Sequence, residues 1–90
     1  MESAKYEVRF FSKKVVSLLG EIPQPFRNSI CIAIERKLQT NPLAEGRYLK
    51  GGLSGQMRLR VGAFRVVYRV VGSVVIILWV GMRKDAYKGN

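Results

Sequence analysis

The sequence predicts a small α+β domain in which a helical hairpin packs on one face of a mainly antiparallel, four-stranded sheet. Apolar residues recur at helical spacing in the first half of the chain. Three strand-like runs separated by glycine-containing dipeptides fill the second half. A chain of 90 residues has room for one core, which indicates a single domain over residues 1–90. The expected element order is β-α-α-β-β-β.

The first two elements are a strand and a short helix. Tyr6, Val8 and Phe10 alternate with the charged residues Lys5, Glu7 and Arg9, which predicts a strand with one buried face. Ser12 suits a helix N-cap and Gly20 a C-terminal cap. The helix between them, Lys13 to Leu19, would carry its apolar residues on one side: Val15, Val16, Leu18 and Leu19.

The second helix begins near Pro25, since proline lacks the N–H that would be unpaired at a first helical position. Its apolar stripe consists of Phe26, Ile30, Ala33, Ile34 and Leu38. Asn41-Pro42 ends it, because the residue before proline avoids the α region. Two helices with one apolar side need a sheet to cover.

The sheet comes from three runs, Gln56 to Val61, Phe64 to Val71 and Val74 to Val80. Gly62-Ala63 and Gly72-Ser73 separate them, and glycine in first place favours a two-residue type II′ turn. A meander of three strands follows. The last run is apolar on both faces, so it is expected at the centre, with the first strand beyond it.

Two-residue turns also fix the pairing of the meander. Arg60 should face Arg65, Arg58 should face Val67, and Gln56 should face Arg69, all on the side away from the helices. Val80 is expected opposite Arg65, and Trp79 is expected in the core on the helix side. The arginines should therefore form one open basic face.

Positive charge is concentrated in the second half of the chain. Between Glu45 and Asp85 there is no acidic residue, while the basic ones are Arg47, Lys50, Arg58, Arg60, Arg65, Arg69, Arg83 and Lys84. Ordinary surfaces mix both signs, so a net charge of +10 arranged in this way predicts a phosphate-bearing partner.

Several classes of protein are disfavoured. A single cysteine, Cys31, and the lack of histidine leave no internal disulfide and no zinc site, and no other metal or cofactor is indicated. The longest apolar run is too short to span a bilayer, and no signal peptide is evident, so a cytoplasmic protein without a membrane partner is expected.

Two segments resemble the RelE/ParE superfamily of bacterial toxin–antitoxin toxins, and its RelE branch above all. One runs from Tyr48-Leu49-Lys50-Gly51 through Gln56-Met57-Arg58-Leu59-Arg60-Val61-Gly62-Ala63-Phe64-Arg65-Val66-Val67-Tyr68, and the other is Gly81-Met82-Arg83-Lys84-Asp85-Ala86-Tyr87. The predicted element order is also that of the RelE-like fold, so the resemblance covers nearly the whole chain.

The resemblance implies a type II toxin that cleaves mRNA in the ribosomal A site, with the 2′-hydroxyl of the RNA attacking the adjacent phosphate. Arg65, Arg83 and Tyr87 match the family's catalytic positions. The expected phosphate-binding residues are Arg58, Arg60, Lys50, Arg69 and Lys84. Gln56 and Met82 depart from the family pattern, which has lysine and often histidine there.

These residues suit electrostatic catalysis. Arg58, Arg65 and Arg83 could stabilise the charge that builds on the phosphate oxygens. Tyr87 could take the 2′-hydroxyl proton or orient that hydroxyl, and Arg83 could protonate the leaving oxygen. The reference tyrosine pKa of ~10 makes the role of base demanding at neutral pH.

Two other functions remain open from sequence. A ParE-like toxin would poison DNA gyrase on the same fold, and a non-catalytic module would bind RNA or the ribosome through the basic sheet. The expected partners are mRNA, the ribosome and a cognate antitoxin with an acidic segment.

Overall fold

The structure is a computed structural model and describes residues 5–49 and 55–82. Its helices are α1 (Lys13–Gly20), α2 (Gln24–Ala33), which continues as a π-helical turn (Ile34–Leu38), and the short α3 (Pro42–Glu45). Its strands are β1 (Glu7–Phe10), β2 (Arg47–Tyr48), β3 (Gln56–Val61), β4 (Phe64–Val71) and β5 (Val74–Met82). The predicted α+β class is confirmed.

Within these ranges the strands form one sheet in the order β1-β5-β4-β3-β2. β1 runs parallel to β5, and the remaining neighbours are antiparallel. The central position of β5 and the position of β1 beyond it are as predicted. The extra strand, β2, has two residues and pairs with β3 at Arg58 and Met57. A two-residue strand shows no periodicity, which is why four strands were expected where the sheet has five.

The hairpin turns have the predicted geometry. Gly62 has φ of 61° and Gly72 has φ of 60°, while no non-glycine residue of the described ranges has positive φ. Positive φ at the first central residue alone is the condition for a type II′ turn. The turns therefore set the register of the meander.

The core lies between the helices and one face of the sheet. The helical part contributes Ile30 and Leu38, which are fully buried, and the sheet contributes Met57, Val66, Tyr68, Val75 and Ile77. Tyr6, Val8 and Phe10 pack against this core from the β1 side, as their alternation predicted.

Two residues of the predicted apolar stripes lie outside this core. Val16 is 52% exposed and Phe26 is 53% exposed. The Phe26 ring packs against Phe64 with a centroid separation of 5.5 Å, so it covers the end of the sheet. The N-cap residue Ser12 has an extended backbone but makes no side-chain cap, and Gly20 is the last residue of α1, before the C-cap Glu21.

A β-bulge changes the pairing of β4 with β5. The register shifts between Val67 and Tyr68, so that Arg65 pairs with Gly81, and Val80 pairs with Val66. The prediction that Val80 lies opposite Arg65 was wrong for this reason. The bulge also pairs Trp79 with Val67, on the face away from the helices, so the prediction of Trp79 on the helix side was wrong as well.

Candidate nucleic-acid interface

We call the side of the sheet away from the helices the helix-free face. It carries the arginines of β3 and β4 and of the two edge strands, β1 and β2: Arg9, Arg47, Arg58, Arg60, Arg65 and Arg69. Arg60 pairs with Arg65, Arg58 with Val67, and Gln56 with Arg69. These three pairings are those predicted from the two-residue turn. Period-two alternation then turns all four predicted arginines to one face.

The exposure of these arginines differs from the open face that was expected. Arg65 is only 2% exposed, whereas Arg60 is exposed and Arg58 and Arg69 are partly buried. β4 is a central strand, so Arg65 has Arg60 on one side and Gly81 on the other. The indole of Trp79 lies over Gly81, since an ideal Cβ there would be 2.6 Å from its ring. The bulge thus brings Trp79 to this face, next to the residue that pairs with Arg65.

Two arginines of this face were not among the predicted site residues. Arg47 pairs with Arg58, and Arg9 pairs with Ile76. The alternation of Tyr6, Val8 and Phe10 could have identified Arg9, because it assigns Arg9 to the opposite face. The sequence contains no comparable signal for Arg47, whose strand is too short.

Like charges face each other directly across two ladders of the sheet. Arg47 pairs with Arg58, and Arg60 pairs with Arg65. Such pairs destabilise a sheet by a few tenths to ~1 kcal/mol, and an anion bound between them would relieve that cost. Arginine forks also match phosphate oxygens in a bidentate geometry.

A buried tyrosine holds the edge of this face. Tyr68 is fully buried, and its hydroxyl donates a 2.6 Å hydrogen bond to the carbonyl oxygen of Pro42. A Cβ at Gly46 would overlap that hydroxyl, so the chain can pass here only as glycine. Burial, with smaller contributions from Glu45 and Tyr48, raises the pKa of Tyr68 to about 12. Tyr68 therefore remains neutral and fixes the segment that leads into β2.

The remaining predicted site residues, Lys50, Arg83, Lys84 and Tyr87, lie outside the described residues. That Arg65, Arg83 and Tyr87 share one catalytic site is therefore still a prediction. In the described ranges, no group of three or more His, Cys, Asp or Glu side chains could hold a metal ion. No helix there is long and apolar enough to cross a membrane.

Solved structures with the same fold identify the relatives of this chain. The RelBE2 toxin–antitoxin complex of Mycobacterium tuberculosis contains a chain that matches 93% of this one over 98% of its own length, with 28% identity and a TM-score of 0.79. The RelB–RelE complex of Methanococcus jannaschii matches 90% of this chain over 96% of its own, with 28% identity and a TM-score of 0.70. The predicted resemblance to RelE-like toxins is confirmed.

The same fold also occurs in a solved structure of lower sequence identity. A chain of the ParDE system of Pseudomonas aeruginosa matches 89% of this chain over 98% of its own length, with 17% identity and a TM-score of 0.68. At that identity the match concerns the fold alone. No protein-family profile matches the sequence, and no curated protein sequence matches it significantly.

Proposed function

We propose that this RelE-like protein is the toxin of a type II toxin–antitoxin module and an endoribonuclease that cleaves mRNA in the ribosomal A site. One observation carries the proposal: Arg58, Arg60, Arg65 and Arg69 lie on one face of the sheet in a RelE-like fold. A merely solvated sheet face would mix both signs of charge. On β3 and β4 every charged residue is an arginine of this face, which suits a phosphate backbone, whereas Arg9 at the β1 edge is ion-paired with Glu7 at 2.7 Å.

The proposed reaction needs no group beyond the RNA itself and the protein's side chains. The 2′-oxygen forms a bond to the adjacent phosphorus, and the bond from phosphorus to the 5′-oxygen breaks. A base takes the proton of the 2′-hydroxyl, and an acid gives a proton to the leaving 5′-oxygen. Negative charge increases on the non-bridging oxygens in between. Guanidinium groups fixed at that point typically contribute ~10²–10³ each to the rate.

Arg65 is the proposed transition-state clamp, with Arg58 diagonally across from it on β3. Because Arg65 is 2% exposed, it would bind a phosphate from a largely desolvated position, where the interaction is stronger than in water. RNA must uncover at least one of its N–H groups first. Tyr87 is the proposed base or orienting group, and Arg83 is the proposed second clamp or proton donor.

The proposed protein partner is an antitoxin with an acidic segment. The solved relatives are toxin–antitoxin complexes, and a net charge of +10 favours an acidic partner. Ribosomes and mRNA are the proposed targets, which implies action in the cytoplasm.

The proposal is tested by mapping mRNA 5′ ends in a translating extract. The protein should produce new ends within codons, only when ribosomes are present, and an excess of antitoxin should abolish them. Intact mRNA at a protein concentration that arrests growth would contradict the proposal.

The burial of Arg65 favours one alternative, a ParE-like gyrase poison on the same fold. Such a toxin would not need Arg65 to reach an RNA phosphate. Accumulation of cleaved gyrase–DNA complexes, with intact mRNA, would support it. Ribosome binding with a steep salt dependence and no new ends would instead indicate a non-catalytic module.

A further inference from the structure

A small cavity lies at the β2 edge of the sheet. Its volume is about 230 Å³, and its lining residues are Lys37, Glu45, Arg47, Arg58, Leu59 and Arg60. They come from the π-helical turn, the end of α3, β2 and β3. Four elements thus bring four cationic side chains and one carboxylate to one place, although the first and last of them are more than 20 residues apart in sequence.

Three of the four cations around the cavity have no ion-pair partner among the described side chains. In residues 5–49 and 55–82, Lys37, Arg47 and Arg58 have no carboxylate within ion-pair distance, even though Glu45 lines the same cavity. Arg47 and Arg58 also lie directly opposite each other across the ladder. An uncompensated group of this kind attracts an anion.

The cavity is continuous with the helix-free face. Arg58 and Arg60 belong to both, and Arg60 pairs with the buried Arg65. The backbone of Arg60 is thus one strand spacing, about 5 Å, from that of Arg65, and β2 with Arg47 is two spacings, about 10 Å, from β4. When one phosphate of a nucleic-acid strand is bound at Arg65, a neighbouring phosphate of the same strand can therefore reach the cavity.

We propose that this cavity is a second phosphate site, which holds a phosphate next to the scissile one and so fixes the position of a single RNA strand on the sheet. The inference rests on the proposed function, because the RNA is that function's substrate. Contacts of this kind position a nucleic acid without reading its sequence. Lys37 and Arg47 are positioning residues in this account and take no part in bond breaking.

The backbone that leads into the cavity is fixed by contacts with the core. The Tyr68 hydroxyl binds the carbonyl of Pro42, and Gly46 passes against that hydroxyl immediately before Arg47. The backbone of Arg47 is also fixed by its pairing with Arg58. The backbone that carries Arg47 is therefore in place before a phosphate binds, and only the exposed side chain has to be ordered.

Binding of a non-cleavable RNA tests this site separately from catalysis. The probe is a 2′-O-methyl RNA oligonucleotide, and the measured quantity is its affinity for the full chain at several salt concentrations. The double variant Lys37→Gln, Arg47→Gln should bind more weakly, with a slope of log K against log salt about 0.7 smaller in magnitude, the value for one lost phosphate contact on a single strand. The matched control is Lys13→Gln, Lys14→Gln, which removes the same charge from exposed positions of α1.

The outcomes separate the site from the function. Equal slopes for the two double variants would overturn the second phosphate site, even if the protein cleaves mRNA. A reduced slope without mRNA cleavage by the wild type would support the site and contradict the nuclease. If the Lys37 and Arg47 changes weaken binding of a polyglutamate peptide but not of the RNA, the cavity binds an acidic protein segment and the proposal is wrong.

A kinetic readout completes the test. On programmed ribosomes, the Lys37→Gln, Arg47→Gln variant should need a higher protein concentration for half-maximal cleavage and keep the same rate constant at saturation. A lower saturating rate with unchanged half-maximal concentration would contradict a positioning role.

Discussion

Arg65 combines a buried position with a proposed role in binding a phosphate. The change Arg65→Lys keeps the positive charge but removes the planar fork, so bidentate binding of two phosphate oxygens is lost. We expect ribosome-dependent cleavage to fall by ~10²–10³. The measurement is the single-turnover rate constant, with the free energy of unfolding determined on the same preparation. A loss of activity no greater than the loss of folded protein would contradict the clamp role.

Tyr68 links the core to the edge of the basic face. The change Tyr68→Phe removes the hydrogen bond to Pro42 and should lower the free energy of unfolding by about 1 kcal/mol. Denaturant unfolding at neutral pH measures this. A variant as stable as the wild type would show that the hydroxyl contributes nothing to the segment before β2.

The pKa of Tyr68 also predicts a pH dependence of stability. Folding raises this pKa to about 12, whereas an unfolded tyrosine titrates near ~10. The folded state therefore holds its proton more tightly, so the stabilisation is complete below pH ~10 and is lost as the pH rises toward about 12. Unfolding measured across that range should show a steeper loss for the wild type than for Tyr68→Phe.

At the residue scale, the sequence predicts which side of the sheet a residue lies on better than it predicts how exposed that residue is. The pairing of Arg58, Arg60 and Arg69 followed from a two-residue turn and strand alternation, which are local properties. The burial of Arg65 accompanies its central strand position and a bulge that pairs it with Gly81 of the next hairpin. No local pattern contains that information.

At the scale of elements, the two hairpin turns fix the register that turns the arginines to one face. Gly62→Ala and Gly72→Ala should each lower stability by ~1–2 kcal/mol, because alanine at positive φ is strained even where space is open. Gly20→Ala in α1 is the matched control. It meets nothing within 4 Å and has no positive φ, so it should raise stability by about 0.5 kcal/mol. Thermal unfolding of the three variants measures both signs, and equal effects would contradict the turn assignment.

The bulge, the short helix α3 and the strand β2 are the elements that the sequence did not predict. A bulge inserts one residue without changing composition or turn chemistry, so alternation simply continued past Leu78 and assigned Trp79 to the wrong face. β2 forms because Arg47 and Tyr48 find partners on β3, at the point where Gly46 can pass Tyr68. That fit is a tertiary property, and the strand propensity of two residues does not reveal it.

At the scale of the whole molecule, the sheet divides the protein into two functional sides. The helix side contains the core and accounts for stability, while the helix-free face carries all six described arginines of the sheet. The α+β class and the order of the elements, apart from the short α3 and β2, were predictable because helical periodicity is concentrated in the first half of the chain and strand periodicity in the second. The edge cavity was not predictable, because Lys37 and Arg47 line it from different elements of the fold.

The central claim is that the helix-free face binds the RNA phosphate at which cleavage occurs. The most direct measurement is the single-turnover cleavage rate constant on programmed ribosomes, at saturating protein, for Arg58→Gln beside Lys14→Gln. Arg58 is on this face, and Lys14 is an exposed cation of α1. We predict a rate ~10²–10³ lower for Arg58→Gln and an unchanged rate for Lys14→Gln. Equal rates for the two variants would contradict the account.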